Sequence, residues 1–467
     1  MLRRSGSLQA FTYLAWGLAF HSLTMAVLYG LMGLPADAVR AVAGWKELFA
    51  LLLVTVIVAR AASGRGPRAP FDWPDLAVGG LIATALCYAF GQRVLLFAWL
   101  PKGAELLGFR DAVFFLLLYF IGRGTPELAR DDRVLRRLVY LIVFASAVSV
   151  IERIFVTPDM LALLGIASYF QEFLGVAEMT AGNEFGLPQS YWAVLGGVPF
   201  RRAGSIFLSG QGFAVPFLLF FPVALVWTFM RDRIRWWHVG ALALASIGLL
   251  LTVTRMTTIV VLIQLLLFVV LVRKPEWTVV GIAAAAAMFV LALIVIPKFP
   301  TFVWETLSWQ EGSSKSHMSG WTQGAFAFAE RPWGWGLGTA DHTAVRLGIL
   351  PLTGDNLYLK YAVELGIAGV VALVGVLATI GSSANKLYRG AATLAERRMG
   401  MVMMLTMIGI AINGITGVVF NSVPMTWLAF WLAGATVTAA QQRVSAAERE
   451  PAVFGAAAPV AAMPEPA

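Results

Sequence analysis

The chain has 467 residues, 59% of them hydrophobic and 13% charged, with a mean hydropathy of +0.77. A chain of that make-up cannot coat a soluble globule with polar groups, so composition excludes a soluble enzyme and points to an all-α polytopic membrane protein. The net charge of +9 does not mark a nucleic-acid binder, because the arginines fall in short clusters between apolar runs and not along a groove that could track phosphates.

In chain order, apolar runs centre on residues 11–32, 43–59, 76–91, 109–122, 138–156, 212–230, 238–254, 256–272, 277–296, 357–380, 399–420 and 423–440. Each approaches the roughly 20 residues that cross a hydrocarbon core of about 30 Å, which predicts about twelve transmembrane helices. The opening run, MLRRSGSLQAFTYLAWGLAF, is long and lacks a small-residue cleavage site, so it is read as the first span and not as a cleaved signal. With the N-terminus inside, 19 Lys and Arg fall in the inner segments, while residues 157–200 contain none. That asymmetry predicts both termini in the cytoplasm. Residues 238–272 are one largely apolar stretch in which Arg255 is the only Asp, Glu, Lys or Arg. An Arg at the bilayer centre costs about 3 kcal/mol on insertion scales, so VTRMT is expected to be a tight turn between two spans at the outer face. Two long outer (periplasmic) loops are expected at about 157–210 and 297–355, within a membrane domain 1–442. The Ala- and Pro-rich tail 443–467 is expected to be disordered. The single Cys87 cannot form an internal disulfide.

Polar residues collect on the expected outer side: Arg201, Arg202, Arg255, His317, Arg331, Asp341, His342, Arg346, Asp355, Lys360 and Glu364. Transporters tend to place their sites near the midplane, so this pattern suits a reaction at lipid head groups better than passage across the bilayer. Few ionisable residues are expected in mid-span, where Asn413 falls. There is no GxxxxGK[ST] loop, no GxSxG elbow and no HExxH, and the four His residues are scattered, so neither a P-loop nor a built metal site is expected.

Three stretches resemble the O-antigen ligase and polysaccharide polymerase family of bacterial membrane proteins: RRAGSIFLSGQGFAVPFLL (201–219), LTVTRMTTIVVL (251–262), and HMSGWTQGAFAFAERPWGWGLGT followed by DNLYLKYAVELGIAGV. The likeness covers about residues 195–380. It implies a glycosyltransferase of the bacterial inner membrane that needs no metal and no other cofactor. Its donor is an undecaprenyl-diphosphate-linked glycan. Its other partners are an acceptor glycan, the lipid bilayer and polysaccharide-assembly proteins. A polymerase of lipid-linked repeat units, in exopolysaccharide or O-antigen assembly, is the leading reading. A ligase onto lipid A-core or another acceptor is the second, and a lipid-linked glycan transporter or flippase the third.

Residue types make physical sense of that chemistry. Guanidinium forks grip diphosphate oxygens and stabilise the charge that builds as the sugar C1–O bond breaks, which suits Arg202, Arg255, Arg201 and Arg331. The acceptor hydroxyl benefits from a base. Ligases of the family are expected to carry a His before the Asn that opens the later span, and here that place holds Asp355. Asp355, His317 and His342 are therefore the candidate bases. Each candidate also has a plainer reading. Arg201 and Arg202 suit interfacial anchors, Arg255 a helix C-terminal cap, Arg331 a helix end before Pro332, and Asp355 the N-cap of the helix starting near Leu357.

Overall fold

The computed structural model describes residues 4–67, 69–95, 100–101, 103–175, 186–188, 191–195, 198–231, 233–272, scattered positions between 283 and 308, and 312–449. Its helices are α1 (Arg4–Ala26), α2 (Ala36–Ala43), α3 (Trp45–Ala62), α4 (Trp73–Leu95), α5 (Ala104–Val113), α6 (Leu116–Arg123), α7 (Asp132–Phe155), α8 (Phe217–Phe229), α9 (Trp236–Leu251), α10 (Arg255–Val272), α11 (Gly312–Glu330), α12 (Asp341–Arg346), α13 (Leu357–Arg389), α14 (Leu394–Asn413) and α15 (Val423–Arg449). A hairpin of β1 (Trp192–Leu195) and β2 (Val198–Arg201) pairs Trp192 with Arg201. Among the described residues eight helices are long and apolar enough to cross a membrane, so the protein is an all-α polytopic membrane protein.

Eleven of the twelve expected spans coincide with helices, and the run 277–296 lies largely outside the described residues. Helix is the natural state of these runs, because it satisfies every backbone N–H and C=O inside one segment. Side chains close the ends. Asp131 accepts from Arg133 N at the start of α7, and Thr393 from Glu396 N at the start of α14. The centre of the bundle is built by the span Gly210–Phe229 and by α15, whose apolar windows are 83% and 89% buried. α6 crosses α15 backbone against backbone: a Cβ on Gly122 would strike Trp431 O, and one on Gly434 would strike Tyr119 O.

Three expectations need correction. The tail does not begin at Arg443, because α15 runs on to Arg449 and Arg443 is anchored to the buried Glu396 at 3.0 Å. Asn413 is not in mid-span; it ends α14, where its Nδ2 donates to Thr257 Oγ1 at 3.3 Å. The second long loop contains the 19-residue helix α11 and the short α12.

The two ends of the bundle differ. One end gathers the hairpin, the turn between α9 and α10, residues 331–356 and the segment after α14. The opposite end is laced by ion pairs: Arg123 with Asp75 at 2.9 Å, Arg130 with Glu396 at 2.8 Å, and Arg398 with Asp132.

Candidate functional site

The loop-rich end is organised around a break in α13. Gly366 has φ 65° and ψ −162°, so the helical ladder stops there and resumes beyond it. Freed backbone groups within an apolar span must find partners in the protein. Residues 332–340, the Trp- and Gly-rich stretch, supply them. Ile367 N donates to Pro332 O at 2.9 Å, Trp335 N to Val363 O at 2.6 Å, and Gly336 N to Glu364 O at 3.2 Å. The Glu364 carboxylate accepts from Gly338 N at 3.1 Å and from Ala340 N at 3.4 Å. Gln92 grips the same stretch from α4, accepting from Leu337 N at 2.6 Å. Gly334, Gly336 and Gly338 all have φ near +90°, as this tight path requires.

Lys360 is wholly buried one turn before Glu364, with its Nζ 3.7 Å from Asp341 Oδ2. Asp341 also accepts from Asn421 and sits at φ 55°. Burial works to raise the Asp341 pKa, but Lys360, His342 and the Asn421 bond outweigh it and hold the carboxyl below its ordinary value. Lys360, Glu364 and Asp341 thus form a buried charged strut, two carboxyl groups sharing one ammonium, that docks the inserted loop. The polarity of the first turns of α13 belongs to this strut.

Asp355 stands just outside that strut. The expected N-cap role belongs instead to Asn356, whose Oδ1 accepts from Leu359 N at 2.9 Å while its Nδ2 donates to Ile415 O at 2.8 Å. The Asp355 carboxylate is left half-exposed, with Oδ2 3.6 Å from His317 Nδ1. Protein crowding around it raises its pKa, a shift that His317 opposes, Asp341 reinforces and His342 again opposes. Two of the three candidate bases therefore meet as a carboxylate–imidazole pair. The third, His342, is exposed beside Asp341 at 3.9 Å. Asp341, His342 and Asp355 offer ligand atoms all within 4.8 Å of one another, a spacing that a cation could bridge, although Lys360 and Asn421 already engage Asp341.

The arginines divide. Helix α9 ends at Leu251 and α10 begins at Arg255, so Thr252–Thr254 form the expected tight turn, with Val253 at φ 49°. Arg202 lies on that turn: its Nε donates to Thr252 O and its Nη2 to Thr254 Oγ1, both at 2.7 Å. Burial, and secondarily the charge of Arg255, lower the Arg202 pKa to about 10. The two guanidiniums are thus near neighbours, and Arg202 has only neutral oxygens as partners among the described residues. Arg201 is committed elsewhere: its Nη2 donates to Glu152 O at 2.8 Å from the end of β2. The neighbouring Gly204 and Ser205 N–H groups donate to the Glu152 carboxylate. Arg331 lies 4.1 Å from the ring centre of Trp335, just past the end of α11, and no described contact brings it to Arg202.

Helix α14 joins the two clusters. Asn413 bonds Thr257, two residues into α10 from Arg255, while Gly414 O accepts from Leu357 N at 2.8 Å and Ile415 O from Asn356. Four non-Gly residues with positive φ occur among the described residues, Ser205, Leu208, Val253 and Asp341, and all four lie between the long helices at this end. Such strain persists only where surroundings over-determine the backbone, and it concentrates at functional sites. Sequence reading missed Gly366 and the Glu364 strut. The signal was the Gly inside VELGIAG.

No curated protein matches the chain. Residues 240–374 match the family model described as O-antigen ligase. That stretch holds Arg255, the His317–Asp355 pair and the broken helix, while Arg201 and Arg202 precede it. Over residues 240–374 the chain is thus similar to the O-antigen ligase family, and its long apolar helices make it a multi-pass membrane protein.

Proposed function

We propose that the protein is a metal-independent glycosyltransferase of the bacterial inner membrane. On this reading it polymerises lipid-linked repeat units, moving glycan from undecaprenyl diphosphate to an acceptor sugar hydroxyl at the outer face. The observation that carries the reading is the Asp355–His317 pair, 3.6 Å apart and relieved of capping by Asn356. It lies at the same end of the bundle as Arg202 and Arg255. In the proposed reaction the two guanidiniums hold the diphosphate. Asp355 takes the proton from the acceptor oxygen as that oxygen attacks C1 of the donor sugar, and the lipid diphosphate leaves with the C1–O electron pair. The charge that builds on the diphosphate is what the arginines stabilise.

Ligation onto lipid A-core or another acceptor is the second reading, favoured by the imidazole that His317 brings beside Asp355. Purified protein in proteoliposomes, given lipid-linked repeat units, tests both. Longer chains on the lipid carrier support polymerisation. Transfer that needs added lipid A-core supports ligation. Movement of intact lipid-linked glycan with no new glycosidic bond would overturn both in favour of a transporter. Activity unchanged by EDTA is expected, and loss restored by a divalent cation would instead place a metal among Asp341, His342 and Asp355.

A further inference from the structure

At the end opposite the candidate site, a cavity of about 380 Å³ opens between α7, α8 and the start of α9, lined among others by Arg133, Arg136, Arg231 and Arg235. A second recess of about 500 Å³ shares Arg231 and Arg235 and adds Arg233 and Arg398. Six guanidiniums thus line this basic hollow, which is formed by two recesses that share Arg231 and Arg235. Two are neutralised: Arg133 forks onto Asp131 at 2.9 Å, and Arg398 pairs with Asp132. Arg136, Arg231, Arg233 and Arg235 have no carboxylate partner among the described residues; Asp232 lies outside them. Arg231 stacks 3.7 Å from the ring centre of Trp227, which lines the cavity, and Trp227 Nε1 is buried with no hydrogen-bond partner among the described residues. Burial lowers the Arg231 pKa and nearby Arg398 lowers it further, against the opposing charge of Asp132, which also lines the cavity.

We infer that this hollow binds the phosphate head group of an anionic phospholipid. Topology-setting arginines need no cavity, no aromatic floor and no idle indole donor, and this cluster has all three. Forked guanidiniums and an N–H suit phosphate oxygens. The rim favours a lipid over a soluble phosphate, because Trp236, Ile234 and Tyr140 are 89%, 45% and 51% exposed beside it, as apolar surface for acyl chains. Basic pockets between helices at a membrane face bind doubly charged head groups in this way.

Native mass spectrometry of the full chain, released from detergent with equal cardiolipin, phosphatidylglycerol or phosphatidylcholine, tests the site. Cardiolipin should be retained best and phosphatidylcholine least. The double variant R233Q/R235Q should retain roughly tenfold less cardiolipin. R389Q/R397Q, with the same charge removed from equally exposed positions of the same end that line neither recess, should match wild type. Equal loss in both pairs would overturn the inference in favour of a general basic face. Should R233Q/R235Q fail to insert, R233K/R235K keeps the charge but loses the forks, and unchanged retention there would also overturn it. In a separate arm with inorganic pyrophosphate, displacement of cardiolipin at equal concentration would overturn the lipid assignment and leave a soluble anion site.

Discussion

At the mouth of α13 the order Asp355–Asn356 separates two tasks that either side chain could perform. Asn caps a helix about as well as Asp. With the cap on Asn356, Asp355→Asn should leave folding and stability unchanged, yet base catalysis contributes typically ~10²–10⁴-fold, so elongation should fall by that order. Full activity in this variant, measured beside its thermal stability in detergent, would move the base to His317 or His342. The pH profile gives an independent reading. The base works as the carboxylate, and burial raises the folded pKa, so activity should fall as pH drops through a value above that of an ordinary aspartate. His317 opposes that rise, so His317→Ala should push the acidic limb to higher pH, and an unmoved limb would separate His317 from the base. Arg202→Ala should cost about 10²–10³-fold, the order lost when one donor to a developing anion is removed. Arg202→Lys should rescue in part, because an ammonium cannot fork. Sequence pattern put Asp355 and Arg202 among the candidates but could not say which neighbour caps. That depends on Ile415 O, which Asn356 reaches across 59 residues of chain.

The decisive element is α13, and its break has a physical cause that hydropathy does not register. Residues 357–380 are apolar enough to be read as one helix, and a single Gly among them is no anomaly. The break becomes visible only when the 332–340 segment is seen to bond across it. Gly366→Ala should therefore be costly: a Cβ there would lie 2.5 Å from Trp333 C, at a φ of 65°. The strained φ alone is worth about 1–3 kcal/mol. The variant should melt earlier in detergent and lose activity together with stability, and a silent Gly366→Ala would mean the inserted loop is not held by the break. Lys360→Met should be worse. It leaves Asp341 and Glu364 buried without their shared cation, and breaking a buried pair by removing one partner costs about 3–5 kcal/mol. Lys360→Met with Asp341→Asn and Glu364→Gln should recover much of that loss, because no uncompensated charge then remains. The Thr252–Thr254 turn was legible because one Arg in 35 apolar positions has few affordable places in a bilayer. Helix α11 was not, because its Gly, Ser and polar residues give weak periodicity.

Orientation in the membrane decides whether the candidate site meets its donor, and the distribution of charge across the whole molecule bears on it. Residues 157–200 hold no Lys or Arg, whereas Arg123, Arg130, Arg133, Arg136, Arg231, Arg233, Arg235, Arg389, Arg397 and Arg398 gather at the opposite end. The positive-inside bias predicts that end in the cytoplasm and the His317–Asp355 pair outside. Helix order was legible in the sequence because each apolar run had to satisfy its own backbone. The contacts between helices within each end were not, since they join residues such as Arg130 and Glu396 that lie 266 positions apart. In a Cys87→Ser background, needed because Cys87 is free and exposed, single cysteines test the orientation. Leu350→Cys lies on the loop-rich end, where Leu350 is 80% exposed, and should react in intact cells with a thiol reagent that cannot cross the membrane. Ala392→Cys, in the exposed turn between α13 and α14, should react only after permeabilisation. The reverse pattern would put the carboxylate–imidazole pair on the cytoplasmic side. The proposed transfer at the outer face would then fail, even if every Arg and Asp variant lost activity as expected.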